Sequence, residues 1–207
     1  MEKTEAKLVK NFKNVLFGKE FQTQISFVGL FNAGKTTLVN QLKVESGMIE
    51  KIDEPAKYQP TMGLSMEVFK LGDLEVVAAD LGGQESFQES FWKPFVSKSV
   101  SVVFVFDSAD LNRVNEAGEA LKKVLKWIPN NCSFLFLANK MDLKNALSLE
   151  EIIERLKLKD QMKERPHSFG VYQISALKGT NMQEPINWLV DQITKLSKQQ
   201  KTLEDST

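Results

Sequence analysis

Residues 29–37 have the composition and spacing of a loop that binds phosphate groups. They read GLFNAGKTT and match the pattern G-x-x-x-x-G-K-[ST]. Glycines let the backbone fold around an anion with its N–H groups pointing inward, and the following helix adds partial positive charge. Lys35 is expected to reach the β- and γ-phosphates, and the Thr36 hydroxyl to bind Mg²⁺. The residues predicted to contact the nucleotide in this loop are Gly29, Asn32, Ala33, Gly34, Lys35, Thr36 and Thr37.

The segments on either side fit a loop that joins a strand to a helix. Residues 24–28 alternate and are rich in β-branched and aromatic side chains, which predicts a strand. Residues 37–43 place Leu38 and Leu42 on one face of a predicted helix. The alternative is a chance Gly-Lys-Thr turn, but such a turn would not need a strand before it and a helix after it. The sequence therefore predicts that the chain binds a nucleotide.

A second motif supplies a carboxylate downstream of this loop. Asp80 follows the predicted strand 74–79 and is followed, after Leu81, by two glycines. A carboxylate at this position is expected to hold Mg²⁺ through water, and the Gly83 N–H to bond the γ-phosphate. An ordinary turn at Asp-x-Gly-Gly is the alternative. The position after a strand favours the metal-binding interpretation.

A third motif, NKMD at residues 139–142, predicts selection of guanine. A carboxylate at Asp142 can accept hydrogen bonds from guanine N1–H and the 2-amino group, whereas adenine would leave it unpaired. Asn139 is expected to bridge the base and the loops, and the Lys140 stem to lie over the ring. The segment 175–177 follows the last predicted strand and offers a backbone N–H toward guanine O6. The residues predicted to bind the base are Asn139, Lys140, Asp142, Ser175, Ala176 and Leu177.

Predicted strands and helices alternate along the chain in the way that positions such motifs. Strands are predicted at 24–28, 65–71, 74–79, 100–106, 134–138 and 171–174, and further helices at 117–127, 149–156 and 184–196. This order indicates an α/β fold with a mainly parallel sheet, in which ligands bind at the carboxyl ends of the strands. The predicted organisation is a leader at 1–22, a nucleotide-binding domain at 23–197 and a polar tail at 198–207, which is expected to fray.

The motifs in this order resemble those of the small GTPases, and in detail those of the Arf/Sar branch. The matching segments are 29–37, PTMG at 60–63, DLGGQ at 80–84 and NKMD at 139–142. Gln84 favours Arf or Arf-like proteins over Sar, which has histidine there. Because Glu2 replaces the glycine that N-myristoylation requires, the chain is similar to an unacylated Arf-like protein.

The resemblance implies the P-loop small-GTPase fold: a six-stranded, mainly parallel sheet with one antiparallel edge strand, helices on both faces and an N-terminal amphipathic helix. It implies a GTP/GDP switch in which Thr61 of switch I closes on Mg²⁺ and the γ-phosphate. Gln84 of switch II is expected to orient the attacking water. The expected ligands of Mg²⁺ are Thr36, Thr61 and, through water, Asp80, and the expected catalytic set is Gln84, Lys35, Thr61 and Gly83.

The leader has an apolar face and a lysine-rich polar face. The apolar residues are Leu8, Val9, Phe12, Val15 and Leu16. Two interpretations remain open: the helix packs on its own domain, or it inserts reversibly at a membrane surface. The resemblance implies that the GTP state releases it to the membrane, giving a cytoplasmic protein that binds membranes peripherally and reversibly.

Other partners follow from the resemblance with one departure. An exchange factor, an activating protein and effectors are expected, but the aromatic triad that reads effectors is altered. Its first two positions are Leu64 and Ala79, and its third is Pro94 by gapless count or Phe95 if Trp92 sets the register. The effector set is therefore not transferred.

The arginine content predicts slow hydrolysis. The only arginines are Arg113, Arg155 and Arg165, all after the switches, so an activating partner is expected to donate the arginine finger. A nucleotide-locked scaffold with little turnover and a P-loop ATPase or kinase are the alternatives; Thr61 and Gln84 argue against the first, and the NKMD motif against the second.

Composition limits the remaining classes. Lys+Arg and Asp+Glu are both 27, so the net charge is zero and nothing favours nucleic acid. The single cysteine excludes an internal disulfide and fits a reducing compartment.

Overall fold

The computed structural model describes residues 23–52, 61, 63–84, 88–164 and 168–204, with side chains described as far as residue 198. The strands are β1 (Gln24–Val28), β2 (Leu64–Leu71), β3 (Leu74–Leu81), β4 (Ser101–Asp107), β5 (Ser133–Asn139) and β6 (Phe169–Gln173). The α-helices are α1 (Lys35–Glu45), α2 (Lys93–Val96), α3 (Val114–Trp127), α4 (Leu149–Arg155), α5 (Leu158–Glu164) and α6 (Gln183–Glu204). None of the helices within these ranges is long and apolar enough to cross a bilayer.

The strands form one sheet in the order β2-β3-β1-β4-β5-β6. β2 pairs with β3 in antiparallel register, and every other pair is parallel. Consequently, the carboxyl ends of β1, β3, β4, β5 and β6 share one edge, where the motifs at 29–37, 80–84 and 139–142 lie, and Thr61 precedes the amino end of the antiparallel β2 at the same edge. The predicted six-stranded sheet with one antiparallel edge strand is confirmed.

Two apolar clusters, one on each face of the sheet, hold the layers together. Alternate residues of β4 divide between them: Val102 and Phe104 belong to the cluster beneath α3, whereas Val103 and Val105 belong to the cluster beneath α1 and α6. All four are fully buried. This alternation of buried residues on both faces is what a central parallel strand requires, and it fixes the strand ends that carry the site.

Several predicted boundaries differ from the structure. The last helix continues to Glu204, well beyond the predicted end at residue 196, so the backbone from residue 198 to 204 is helical rather than frayed. The sequence analysis also missed α5 and the capping box that begins α4, in which Ser148 and Glu151 bond each other's backbone N–H groups. The leader at 1–22 lies outside the described residues.

Switch II contains a short π-helix, Gln88–Trp92, that leads directly into α2. A π-helical turn accommodates one extra residue in a helix. This places Trp92 in the core with no exposed surface, where its indole Nε1 donates to the Gly82 carbonyl at 2.8 Å. Phe95 packs against the core and Pro94 is exposed, and the third triad position, Pro94 or Phe95, stays a prediction.

Candidate functional site

The predicted phosphate loop lies between β1 and α1. Gly34 adopts a φ of 94° immediately before the helix, a conformation that favours glycine. Lys35, only 6% exposed, extends back along the loop, and its Nζ donates to the carbonyls of Gly29 and Leu30, each at 3.0 Å. Burial lowers the pKa of Lys35 to about 8, against the attraction of the Asp80 carboxylate. A cation is thus held at the mouth of a loop of backbone N–H groups.

Three side chains predicted to bind Mg²⁺ meet beside this lysine. The Thr36 Oγ1 donates to Asp80 Oδ2 at 2.6 Å, and the Thr61 Oγ1 donates to the same oxygen at 3.2 Å. The two hydroxyl oxygens are 3.0 Å apart. Burial raises the pKa of Asp80, while the threonine hydrogen bonds and Lys35 act in the opposite direction. The other carboxylate oxygen, Oδ1, is buried and has no hydrogen-bond partner among the described residues.

These observations meet the chemical requirements of a magnesium site. A hard cation takes carboxylate and hydroxyl oxygens as ligands, directly or through water. Two hydroxyls, one carboxylate and a buried oxygen without a partner converge next to the loop that would hold phosphate oxygens. The residues present therefore fit the metal.

The start of switch II packs directly on the phosphate loop. The Phe31 N–H donates to the Gly83 carbonyl at 3.0 Å. A Cβ at Gly83 would lie 2.2 Å from the Phe31 nitrogen and 2.7 Å from Lys35 Nζ, so only glycine fits this approach. The Phe31 side chain itself points outward and is 47% exposed. Gln84, the next residue, is exposed at the same edge.

Asn139 joins the two loops that flank the predicted base position. Its Nδ2 donates to the Ala33 carbonyl, and its Oδ1 accepts from the Ala176 N–H, each at 2.9 Å. Asn139 is 2% exposed, and Ser175 and Ala176 have no exposed surface. The bridging of loops expected of Asn139 is observed. The Ala176 N–H, however, is used within the protein and not left free to donate.

The remaining base-site residues lie at the rim. Lys140 forms an ion pair with Asp107, with 2.7 Å between Nζ and Oδ2, so its stem crosses from the end of β5 to the end of β4. Asp142 is exposed, and Leu177 is 38% exposed. The structure thus brings residues from 29–37, 61, 80–84, 139–142 and 175–177 to one edge of the sheet.

Sequence reasoning missed one residue of this edge. Arg113 ends a short 3₁₀ turn after β4, and its Nη1 donates to the Phe31 carbonyl at 2.9 Å. The arginine is thus distant from the switches in sequence but adjacent to the phosphate loop in the fold. In the sequence, the only indication that Arg113 lies at this edge was its position six residues after the end of β4.

Comparisons with known proteins agree with this site. Residues 9–193 match the family model "ADP-ribosylation factor family". The chain is 33% identical over 178 residues to ADP-ribosylation factor-like protein 6 of Danio rerio, covering 84% of this chain and 90% of that protein. It is 32% identical to ADP-ribosylation factor-like protein 1 of Saccharomyces cerevisiae over 179 residues, covering 86% and 91%.

A solved structure shares the fold as well. The Arl6 (BBS3) small GTPase of Trypanosoma brucei, solved with the nucleotide analogue GppNp, is 30% identical with a TM-score of 0.71 and covers 84% of this chain and 98% of its own. The edge of the sheet described above carries the motifs by which the sequence resembles the small GTPases. The chain belongs to the ADP-ribosylation factor family and is an Arf-like small GTPase, a GTP-binding switch that hydrolyses GTP.

Proposed function

We propose that this GTPase binds GTP and GDP together with Mg²⁺ at the edge described above and uses the Thr61 hydroxyl to report the γ-phosphate. The convergence of Thr36, Thr61 and Asp80 carries this proposal, because it brings the switch I hydroxyl of Thr61 within hydrogen-bond distance of the phosphate-loop threonine and of the carboxylate. The Trypanosoma brucei relative was solved with a GTP analogue, which supports the same ligand class here.

In the proposed complex, Thr36, Thr61 and Asp80 would hold Mg²⁺. The metal would add positive charge beside the β- and γ-phosphates. Lys35 exchanges its two carbonyl acceptors for phosphate oxygens, and the loop 29–37 donates its backbone N–H groups. Asp142 accepts the two guanine donors, while Asn139 holds the loops on either side of the base.

The reaction is attack by water on the γ-phosphorus, in line with the bond to the β–γ bridging oxygen, which breaks and leaves GDP and phosphate. Gln84 is exposed at the edge next to Gly83 and orients the water. Arg113 does not serve as an internal finger, because its guanidinium N–H groups donate to Glu116 and to the Phe31 carbonyl. Turnover therefore depends on an arginine from an activating partner.

The magnesium site is tested by chelation. Removing Mg²⁺ with EDTA is expected to accelerate release of a fluorescent GDP at least about tenfold. The reason is that the cation contributes about 1.4 kcal/mol or more to the free energy of GDP binding. The Asp80→Asn variant is expected to release GDP quickly with or without EDTA. Release from the wild-type protein that EDTA does not alter would contradict the metal site.

The leader is proposed to carry the switch to membranes. Its apolar side chains would insert at the bilayer surface while its lysines face the headgroups. They are Leu8, Val9, Phe12, Val15 and Leu16. On this proposal the GTP state is peripheral on the membrane, and the GDP state is cytoplasmic.

The domain offers a place for the leader in the other state. A groove of about 410 Å³ lies between the β2–β3 hairpin, the end of α1 and α6. Ile186 and Val190 give it an apolar wall that suits the apolar face of the leader, and its charged lining consists of Glu45, Lys70 and Asp191, the last paired with Lys195 at 2.6 Å. This observation favours packing of the leader on its own domain when it is not on the membrane.

Liposome flotation of the full chain distinguishes these cases. Protein loaded with a non-hydrolysable GTP analogue is expected to float, and protein loaded with GDP is not. The double variant Leu8→Asp, Phe12→Asp is expected to remain in solution, whereas Asn11→Asp, Asn14→Asp, with the same added charge on the polar face, is expected to float. A wild-type chain that stays in solution with both nucleotides would contradict the membrane proposal and leave the GTPase intact.

A further inference from the structure

Arg113 is bonded to the backbone of the phosphate loop although 82 residues separate it from its acceptor. Its Nη1 donates to the Phe31 carbonyl at 2.9 Å. The Phe31 side chain is apolar and points outward, so it offers Arg113 no polar group. The backbone carbonyl is therefore the acceptor through which this arginine acts on the loop.

The guanidinium is held in place by a side chain of the protein. Its Nε donates to Glu116 Oε2 at 2.7 Å, and its Nη2 donates to Glu116 Oε1 at 3.0 Å. This two-point geometry holds the planar group in one orientation. The hydrogen bond from Arg113 lowers the pKa of Glu116, so the pair remains charged at neutral pH. Glu116 lies in the first turn of α3, which anchors the pair to a rigid element.

The direction of the Phe31 carbonyl fixes the direction of the Asn32 N–H, because both belong to one peptide unit. In a trans peptide the C=O and the following N–H point in opposite directions. The Phe31 carbonyl is directed at Arg113, so the Asn32 N–H of the same trans peptide is directed to the side away from Arg113. Asn32 has a φ of 63°, the left-handed conformation that lets successive N–H groups converge on an anion.

We propose that Arg113, held by Glu116, is a positioning residue that fixes the Phe31–Asn32 peptide so that the Asn32 N–H donates to the phosphate chain of the nucleotide. The inference rests on the proposed function of the loop 29–37 as a phosphate site. Arg113 does not touch the nucleotide on this account. It acts through one peptide unit, and its charge strengthens the donor at the far side of that unit.

The test compares variants of the full chain in release of fluorescent GDP and in the ³¹P resonance of the bound β-phosphate. Arg113→Met keeps the length of the side chain but removes every donor, and Arg113→Lys restores one charged donor. Glu116→Gln weakens the orientation of the guanidinium. The matched control is Lys122→Met, which removes an exposed i,i+3 ion pair with Glu119 on the same helix without contact to the loop.

Arg113→Met is expected to release GDP about tenfold faster, which is the effect of losing one charge-assisted hydrogen bond, and to shift the β-phosphate resonance. Arg113→Lys and Glu116→Gln are expected to fall between that variant and the wild type, and Lys122→Met to match the wild type. Release from Arg113→Met within twofold of the wild type would overturn the inference. An equal acceleration in Lys122→Met, or an unshifted resonance, would also overturn it. A wild-type chain that does not bind GDP would instead contradict the proposed function.

Discussion

Replacing Asn139 by alanine removes a side chain that joins the phosphate loop to the base loop. The Ala33 carbonyl loses its donor and the Ala176 N–H loses its acceptor. Both alanines are almost wholly buried. A buried polar group without a partner costs about 1–3 kcal/mol. Two such groups therefore destabilise the paired arrangement of the loops by about 2–6 kcal/mol.

This cost appears as faster loss of nucleotide, because the apparent affinity falls with the fraction of molecules whose loops are correctly paired. At about 1.4 kcal/mol per tenfold, the expected acceleration of GDP release is at least roughly 30-fold. Stopped-flow release of a fluorescent GDP from the full chain measures it.

Asn145→Ala is the matched control. Asn145 also donates through Nδ2 to a backbone carbonyl, that of Ala109 at 2.8 Å, but it is exposed. Water can replace that bond, so release is expected to change less than about threefold. Release from Asn139→Ala that is within threefold of the wild type would refute the reasoning, since the bridge would then carry no free energy.

Three further substitutions test a close approach at the site, a buried hydrogen bond in switch II and a helix cap away from the site. Gly83→Ala places a Cβ 2.2 Å from the Phe31 nitrogen, so switch II must move. Single-turnover hydrolysis is therefore expected to fall on the order of a hundredfold. In the control Gly118→Ala, in α3, the added Cβ meets only a side-chain carbon at 3.4 Å, so hydrolysis is expected to stay unchanged. Equal rates in the two variants would contradict the close approach. Trp92→Phe leaves the Gly82 carbonyl without its indole donor, which lowers the free energy of unfolding by about 1–3 kcal/mol. The thermal midpoint is expected to fall by about 2–4 °C for each kcal/mol. An unchanged midpoint would show that this bond is not formed. Ser148→Ala removes the N-cap of α4, for about 1 kcal/mol of stability, and calorimetry is expected to show a lower midpoint while GTP turnover stays at the wild-type rate.

The sheet and the position of the site were predictable because both depend on local patterns. Strands such as β4 and β5 consist almost entirely of apolar residues, and in a parallel sheet their carboxyl ends must share an edge. Once Lys35, Asp80 and Asn139 were placed after such strands, their convergence followed from topology. The structure places all three at that edge, with Asn139 bonded to the loop that contains Lys35.

Contacts between distant segments could not be predicted in this way. Arg113 reaches Phe31 because the 3₁₀ turn after β4 directs it toward the loop, and no sequence pattern encodes that direction. The π-helix Gln88–Trp92 has no distinguishing sequence pattern, so neither this helix nor the burial of the Trp92 indole in the core was predicted. The last turns of α6 carry polar residues without apolar periodicity, so the predicted end at residue 196 was too early.

The central proposal is that this Arf-like GTPase hydrolyses GTP slowly and needs an arginine from an activating partner. Single-turnover hydrolysis of GTP bound to the full chain, with Mg²⁺ and no other protein, tests it most directly. The account predicts a rate below about 10⁻² per second for the wild type, and a further decrease in Gln84→Leu. Hydrolysis by the wild type at several per second, or a Gln84→Leu rate equal to that of the wild type, would contradict it.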